Sequence, residues 1–373
     1  MCSINCPRNW RRPTSRTFSG ASATRSTRPT DSRGGSPTCG SASNSVSSDP
    51  SSAFARATAA ARDGDLVVLD ALLADTPSLV TETDDVGRTL LDLACRAATG
   101  DIAIPLVPGT PEQYAAVDRI LAAGADPSCA DEDGWTPLHS AGMAGHTDLG
   151  RRLVAAGASV HAEAHGKSGE SALSYALFYA KAYMGEVLTP TYPDNLRAAA
   201  ALGRDILRFV DGGELTPEAY EGLDFYAPVF FPIWNRNKTR QEVLDEALSW
   251  ASRNDQCESM AALVELGADV NASAFRGTPL LWACYADKVA AAGWLLDHGA
   301  DPDLRHDWGG EGHGVAAVAM HLAAQNDAVG CVKLLLDRGA DPTIVDGAHD
   351  GTPLGWAEYS GADSTAEILR RSS

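Results

Sequence analysis

The sequence predicts an all-α protein, a solenoid of stacked helix-turn-helix units joined by β-hairpin-like loops, with a disordered N-terminal tail. Two recurring signatures and a shift in composition lead to this prediction. Short segments that end in Gly-Ala-Asp or a close variant recur at 121–127, 154–160, 264–270, 296–302 and 336–342. Self-similarity at a period of tens of residues is typical of repeat proteins, in which each unit contacts only its neighbours.

A second signature precedes most of these segments, and its residues predict the start of a helix. Clear copies are TPLHSA (136–141), TPLLWA (278–283), MHLAA (320–324) and TPLGWA (352–357), and weaker copies are TLLDLA (89–94), SALSYA (171–176) and EALSWA (246–251). The threonine can cap a helix by accepting a hydrogen bond from a first-turn N–H, and proline suits the first helical position. Gly145 is expected to end the first helix of its unit, and Gly339 the second helix of a later one.

Together these signatures resemble the ankyrin repeat, and residues 136–160 (TPLHSAGMAGHTDLGRRLVAAGASV) match that repeat almost throughout. The resemblance covers about residues 53–370, preceded by a tail at 1–52. It implies eight repeats, three of them interrupted, whose equivalent positions are Ala55, Thr89, Thr136, Ser171, Glu246, Thr278, Val318 and Thr352. It also implies that His139, His146 and His321 are framework residues. Trp250, Trp282, Trp356 and Tyr175 occupy one recurring apolar position, and we expect them to pack in the core.

Insertions are predicted near 98–113, 183–194, 214–243 and 305–314. The insertions at 98–113 and 183–194 are expected to be loops. After the loop at 183–194, the second helix of repeat four is expected to resume at 196–210. The third contains the aromatic run LDFYAPVFFPIWN (223–235), which either anchors a partner or plugs the gap between repeats four and five. The glycine-rich fourth insertion is predicted to be a flexible polar binding loop.

Charge is distributed unevenly between the tail and the rest of the chain. Residues 1–52 hold seven arginines and two aspartates, a net charge of +5, so the remaining residues carry −24 of the total of −19. The tail is rich in serine and threonine and has no hydrophobic period, which predicts disorder. Its composition resembles an organelle transit peptide, but we favour a non-functional extension, because composition alone is a weak targeting signal.

The composition also excludes several function classes. A strongly acidic surface repels phosphate backbones, so we expect no nucleic-acid binding. No apolar run is long enough to span a bilayer, so we expect no membrane insertion. Five widely spaced cysteines lie between residues 95 and 331 without a C-x-x-C pair, which suits a reducing compartment, and we expect a cytoplasmic monomer. No catalytic, metal-binding or cofactor-binding motif has its required spacing, so we predict a protein without enzymatic activity or cofactor.

The resemblance places the partner-binding surface on the concave face and on the hairpin tips. Ankyrin proteins usually bind through the residues before TPLH and through exposed positions of the first helix. Transferred to this chain, these positions are Glu132, Asp133, Trp135, Met143, His165, Lys167, Phe275, Arg276, Trp308, His349 and Asp350. Trp135 is the strongest single candidate, because packing between Gly134 and Thr136 is not expected to require a large ring.

The main functional hypothesis is therefore a scaffold or adaptor that binds another protein with a basic patch. A different hypothesis is an enzyme or ligand-binding protein with a site formed by the 183–194 and 214–243 insertions. A narrower one is an acidic inhibitor or immunity protein. The fold alone does not decide among them, because function varies freely on such scaffolds.

Overall fold

The computed structural model describes residues 52–99, 109–166, 169–189, 195–221, 239–274, 277–306 and 315–372. Within these ranges the α-helices are α1 (Ala53–Asp63), α2 (Leu66–Asp75), α3 (Leu90–Thr99), α4 (Pro111–Ala122), α5 (Pro137–Ala144), α6 (Thr147–Ala155), α7 (Ala172–Phe178), α8 (Gly185–Leu188), α9 (Leu196–Ala201), α10 (Arg240–Arg253), α11 (Cys257–Glu265), α12 (Pro279–Tyr285), α13 (Val289–Asp297), α14 (Ala319–Gln325), α15 (Val329–Asp337), α16 (Pro353–Ser360) and α17 (Asp363–Ser372). Short 3₁₀ helices lie at Pro77–Val80, Ala164–Gly166, Ala182–Met184, Leu207–Phe209 and Pro217–Tyr220. Strands β1 (Val210–Asp211) and β2 (Glu214–Leu215) pair antiparallel, with Val210 opposite Leu215.

The helices stack in the order that the repeats predict, which confirms the all-α solenoid. First helices contact first helices: α1 packs on α3, α3 on α5, α5 on α7, and later α10 on α12, α12 on α14 and α14 on α16. Second helices form a parallel layer in which α2 contacts α4, α6 contacts α8, and α13 contacts both α11 and α15. Trp250, Trp282 and Tyr175 are buried in the core, as predicted, and Trp356 is half-buried against it.

A single backbone device turns the chain from the first helix of a unit into the second. At Gly145 the backbone is left-handed with φ 78°, and the N–H of His146 donates to the carbonyl of Ala141 at 2.9 Å. Gly361 holds the same turn, confirming the role predicted for Gly145. Later units place Asp255, Asp287 and Asp327 there, with φ between 52° and 62°. Aspartate tolerates this conformation better than most residues because its short side chain can form local hydrogen bonds.

These turn aspartates also link consecutive units. Asp255 Oδ1 accepts from the N–H of Ala291 at 2.8 Å, Asp287 Oδ1 from Cys331 at 2.8 Å, and Asp327 Oδ1 from Thr365 at 2.9 Å. Each donor lies in the first turn of the next unit's second helix. The N-cap residues of α13 and α15 supply no side-chain hydrogen bond of their own. One repeat therefore caps the helix of the next repeat.

The region between α7 and α10 differs from the prediction. Residues 183–188 are helical rather than a loop, and α8, which contacts α6, is the second helix of repeat four. The prediction that 196–210 is that helix is wrong. Helix α9 ends at Ala201, and the chain turns at Gly203, which has φ 63°, while Arg204 N–H donates to the carbonyl of Ala199 at 2.9 Å. Thus α9 is a short additional first-layer helix that packs on α10.

A buried ion pair joins α9 to α10. Arg197 Nε lies 2.6 Å from Glu246 Oε2, and both side chains are at most 1% exposed. Glu246 occupies a predicted phase position, yet it lies inside α10, which begins at Arg240 after the capping residue Thr239. Burial of two charges is tolerated because they pair with each other and Arg197 Nη1 also donates to the carbonyl of Glu221 at 3.1 Å.

Much of the predicted tail and insertions lies outside the described residues. Of the tail at 1–52, Ser52 is described, and its Oγ caps α1 through the N–H of Ala55. Positions 100–108, 190–194, 222–238 and 307–314 are likewise outside, so the aromatic run and the polar loop stay predictions. Cys95, Cys257, Cys284 and Cys331 are free thiols. None of the described helices is long and apolar enough to cross a membrane.

We predict that Asp255→Ala lowers the free energy of unfolding by about 1–2 kcal/mol, because the Ala291 N–H loses its cap and alanine is strained at positive φ. Asp255→Asn, which keeps an acceptor oxygen and tolerates this φ, is expected to lose much less. Urea denaturation followed by circular dichroism measures both. Asp337→Ala, at an exposed position on α15, is the control and is expected to change stability by under about 0.5 kcal/mol. Equal losses in the Asp255→Ala and control variants would contradict a capping role.

Candidate functional site

Three successive hairpin tips near the N-terminal end of the array lie against one another. They are residues 83–89, residues 131–135 and the described part of 163–171. The first and third close through the bridges Thr83–Thr89 and Glu163–Ser171. Glu132 N–H donates to the carbonyl of Val86 at 3.4 Å, and His165 N–H donates to the carbonyl of Asp133. A side chain at Gly134 would place its Cβ 3.1 Å from the Glu163 carbonyl oxygen, so glycine permits this close approach.

An aspartate at the base of each of two tips organises the loop. Asp84 Oδ1 accepts from the N–H of Val86 at 3.1 Å and of Arg88 at 2.9 Å. Asp131 Oδ1 accepts from the N–H of Asp133 at 3.0 Å and of Trp135 at 2.9 Å. Satisfying these backbone donors with a fixed carboxylate holds each tip in one conformation.

The outer surface of these tips is acidic. Asp85, Glu132, Asp133 and Glu163 are exposed, and Val86 between them is 40% exposed. The neighbouring arginines are already paired: Arg88 Nη2 lies 2.7 Å from Asp84 Oδ2, and Arg96 contacts Asp92 and Asp131 at 2.6 and 3.2 Å. We call the surface formed by Asp85, Val86, Glu132, Asp133 and Glu163 the acidic edge.

Trp135 is buried, which contradicts the expectation that packing does not require a large ring at this position. Its side chain is 9% exposed, its Nε1–H donates to Ser140 Oγ at 2.8 Å, and its ring packs edge-on against Tyr175 with centroids 4.8 Å apart. Packing therefore does require a large ring there, because the hairpin folds its base over α5 and α7. Met143 is also buried, at 7% exposure.

His165 and Glu170 form a polar cluster beneath the third tip. His165 has left-handed backbone with φ 55°, and its Nδ1 lies 2.5 Å from Glu170 Oε2. The Tyr175 hydroxyl donates to the same carboxylate oxygen at 2.8 Å, and Glu170 is fully buried. Burial, together with the hydrogen bond to Glu170, raises the pKa of Tyr175 well above its ordinary value. This phenol therefore stays protonated, and the cluster anchors the third tip.

The two TPLH histidines are framework residues, as predicted. His139 Nδ1 accepts from the N–H of Thr136 at 3.1 Å, and its Nε2 lies 3.0 Å from the carbonyl oxygen of Glu170 in the next hairpin. His321 spans to the carbonyl of Gly351 in the same way, also at 3.0 Å. Burial lowers the pKa of His139 to about 4, so its ring is neutral at physiological pH.

The remaining candidates do not gather at this edge. His349 and Asp350 are exposed in the hairpin before α16, toward the other end of the array. Asp346 holds that hairpin by accepting from the N–H groups of His349 and Gly351 and from Trp356 Nε1. Burial acts to raise the pKa of Asp346, but these hydrogen bonds outweigh it and lower the pKa. Lys167, Phe275, Arg276 and Trp308 lie outside the described residues.

Sequence reasoning missed Asp85, Val86, Glu163 and the buried Glu170. The first two precede TLLDLA, a weak copy of the motif, and applying the same offset there would have selected them. Glu170 directly precedes SALSYA, but its burial depends on Tyr175 and His165 closing around it. In the described part of the chain, no three histidine, cysteine, aspartate or glutamate side chains are close enough to hold a metal ion.

Family models agree with this architecture. A model of three consecutive ankyrin repeats matches residues 110–191, and a single ankyrin repeat model matches 277–307 and 318–347. The chain is an ankyrin-repeat protein. The matches include two of the three contacting hairpin tips, and ankyrin repeats are in general protein-interaction modules.

One similar protein carries the name of an enzyme. Palmitoyltransferase AKR1 of Lachancea kluyveri is 30% identical over 128 residues, which are 33% of this chain and 16% of that protein. The ankyrin-repeat chain thus matches a small part of that relative's length. A match of this extent does not transfer the activity of the whole relative.

We predict that Trp135→Ala lowers the free energy of unfolding by about 3–5 kcal/mol, because it removes a buried ring and leaves Ser140 without its donor. Tyr359→Ala, which truncates an aromatic ring that is 82% exposed, is expected to cost under about 0.5 kcal/mol. Urea unfolding measures both. A small loss at Trp135 would show that its ring is not part of the core.

Proposed function

We propose that this ankyrin-repeat protein is a non-enzymatic interaction module whose acidic edge binds a partner protein through a basic surface. The observation that carries the proposal is the continuity of the three hydrogen-bonded tips. They present four exposed carboxylates while the nearby arginines are engaged in ion pairs. Among the described residues of the tips the exposed carboxylates outnumber the cations, so a basic partner would be attracted there.

Rigidity of the edge supports binding. Asp84 and Asp131 each accept from two backbone N–H groups of the first and second tips, so the carboxylates of these two tips are presented on loops that need little ordering when a partner arrives. Clustered charge of one sign accelerates encounter with an oppositely charged partner and makes association sensitive to salt. Val86 adds an apolar contact at the centre of the edge.

Other predicted contacts extend the interface under this proposal. His349 and Asp350 would contact a long partner at a second hairpin, and His165 lies at the base of the acidic edge. Trp135 and Met143 would support the edge from beneath. The protein is proposed to act as a cytoplasmic monomer.

Two alternative functions are an enzyme or ligand-binding protein and an acidic inhibitor. A shallow groove of about 440 Å³ lies beside α8, lined partly by Tyr183, Glu186, Arg204 and Gln256. It lies where an enzyme or ligand-binding site formed by the 183–194 insertion would be. The name of the Lachancea kluyveri relative makes acyl transfer one reaction to test. The acidic edge also suits an inhibitor that blocks a basic protein surface.

Two matched variants test the interaction proposal. The edge variant carries Asp85→Asn, Glu132→Gln, Asp133→Asn and Glu163→Gln. The control variant carries the same kinds of change at exposed positions away from the hairpins, namely Asp75→Asn, Glu258→Gln, Glu265→Gln and Asp337→Asn. Each protein is used for capture from native lysate at low and high salt, and bound proteins are identified by mass spectrometry.

We expect a basic protein that the wild type and the control variant retain at low salt and the edge variant does not. Retention is expected to fall at high salt because the interaction is electrostatic. Equal retention by all three proteins, or equal loss from both variants, would contradict the acidic edge as the binding surface.

A further inference from the structure

Asp92 on α3 occupies the place that histidine holds in the TPLH motif. Its side chain is 2% exposed, and Oδ2 accepts from Arg96 Nε at 2.6 Å. No donor among the described residues reaches Oδ1. In their own units His139 and His321 extend from this position to a carbonyl of the next hairpin. Asp92 is too short to do so.

Arg96 supplies the missing link to the next hairpin. Its Nη2 donates to Asp131 Oδ2 at 3.2 Å. The other oxygen of Asp131 accepts from the N–H groups of Asp133 and Trp135, which form the second tip of the acidic edge. A continuous chain of polar contacts therefore runs from a buried carboxylate on α3 to the surface tip.

We propose that Asp92 regulates the acidic edge by taking up a proton, acting through Arg96 and Asp131. The inference rests on the proposed function, since the edge is the surface it controls. With Asp92 ionised, two carboxylates share one guanidinium and the trio carries a net charge of −1. With Asp92 protonated, Arg96 offsets Asp131 alone and the trio becomes neutral. The edge then attracts a basic partner less strongly.

The local environment places this change in an accessible pH range. Burial raises the pKa of Asp92 to about 6, while Arg96 acts in the opposite direction. Asp131 raises that pKa further and Arg88, from the hairpin before α3, lowers it. Burial also raises the pKa of Asp131. Proton uptake by Asp92 therefore begins as the pH falls below 7 and continues toward 5.

Among the described residues, the other elements packed against α3 place no further charge at Asp92. The charged residues of α1 and α4 are at exposed positions, and they are Arg56, Arg62, Asp63, Glu112, Asp118 and Arg119. His139 on α5 has a pKa of about 4, so its ring is neutral at any pH well above 4. Cys95, next to Arg96 on α3, has its pKa raised well above its ordinary value by burial and by Asp92, so its thiol is uncharged.

Titration followed by NMR tests the coupling without a partner. In the wild type we expect the side-chain carboxyl carbon of Asp92 to titrate with a midpoint near pH 6, and the amide signals of Asp133 and Trp135 to shift with the same midpoint. Asp92→Asn is expected to remove that step. Asp70→Asn, which removes an arginine-paired carboxylate between α2 and α4, is the matched control and should keep it.

A midpoint for Asp92 near pH 4 in the wild type would overturn the proposal without need of any variant. Tip amide shifts that persist unchanged in Asp92→Asn would also overturn it.

Binding of a fluorescein-labelled decalysine peptide connects the coupling to function. The dissociation constant of the wild type is expected to rise roughly threefold from pH 7 to pH 5 through this one charge, and that of Asp92→Asn to start higher and change less. If the edge and control carboxylate variants lose decalysine binding equally, the proposed function fails while the NMR coupling stands. If binding maps to the edge but Asp92→Asn keeps the full pH dependence, the regulation fails and the proposed function stands.

Discussion

Each helix pair of this protein has an apolar stripe that its neighbours cover, and in three successive pairs a first-turn N–H of the second helix is capped by the preceding pair. The apolar stripe is covered by stacking of first helices on first helices. The N–H groups of α13, α15 and α17 are covered by Asp255, Asp287 and Asp327 of the preceding unit. Because hydrophobic burial and capping both act between neighbours, stability propagates along the array rather than from one central core.

The same constraint explains the arrangement of the hairpins. Stacking brings successive tips into contact, so each tip must satisfy its own polar groups and leave room for the next. Asp84 and Asp131 accept hydrogen bonds from the backbone N–H groups of their tips, and Gly134 leaves room for the next tip. The carboxylates that remain are exposed on one continuous edge. The carboxylates of these hairpins thus have two roles. Asp84 and Asp131 stabilise the loops, and the carboxylates of the acidic edge are exposed to solvent.

This chain departs from the repeat consensus at two positions that bury charged side chains. Asp92 replaces a neutral histidine with a buried charge and recruits Arg96 to reach the next hairpin. Arg197 and Glu246 form an ion pair between α10 and α9, a helix that the repeat pattern does not contain. Both features place charge at low exposure, where its interactions are stronger than in water and a change of protonation has a larger effect.

The sequence by itself determined the class of fold, the caps at Thr278 and Thr352, and the turn at Gly145, because each depends on residues within a few positions of one another. It did not distinguish α9 from a second helix, since an alanine-rich run has the same period in either layer and a glycine turn such as that at Gly203 ends helices of both layers. Tertiary structure decided that Trp135 is buried, that Tyr175 and His165 close around Glu170, and that Asp85 and Glu163 join Glu132 and Asp133 on one edge. These are contacts between units, and they follow from how closely neighbouring hairpins approach, which no local pattern encodes.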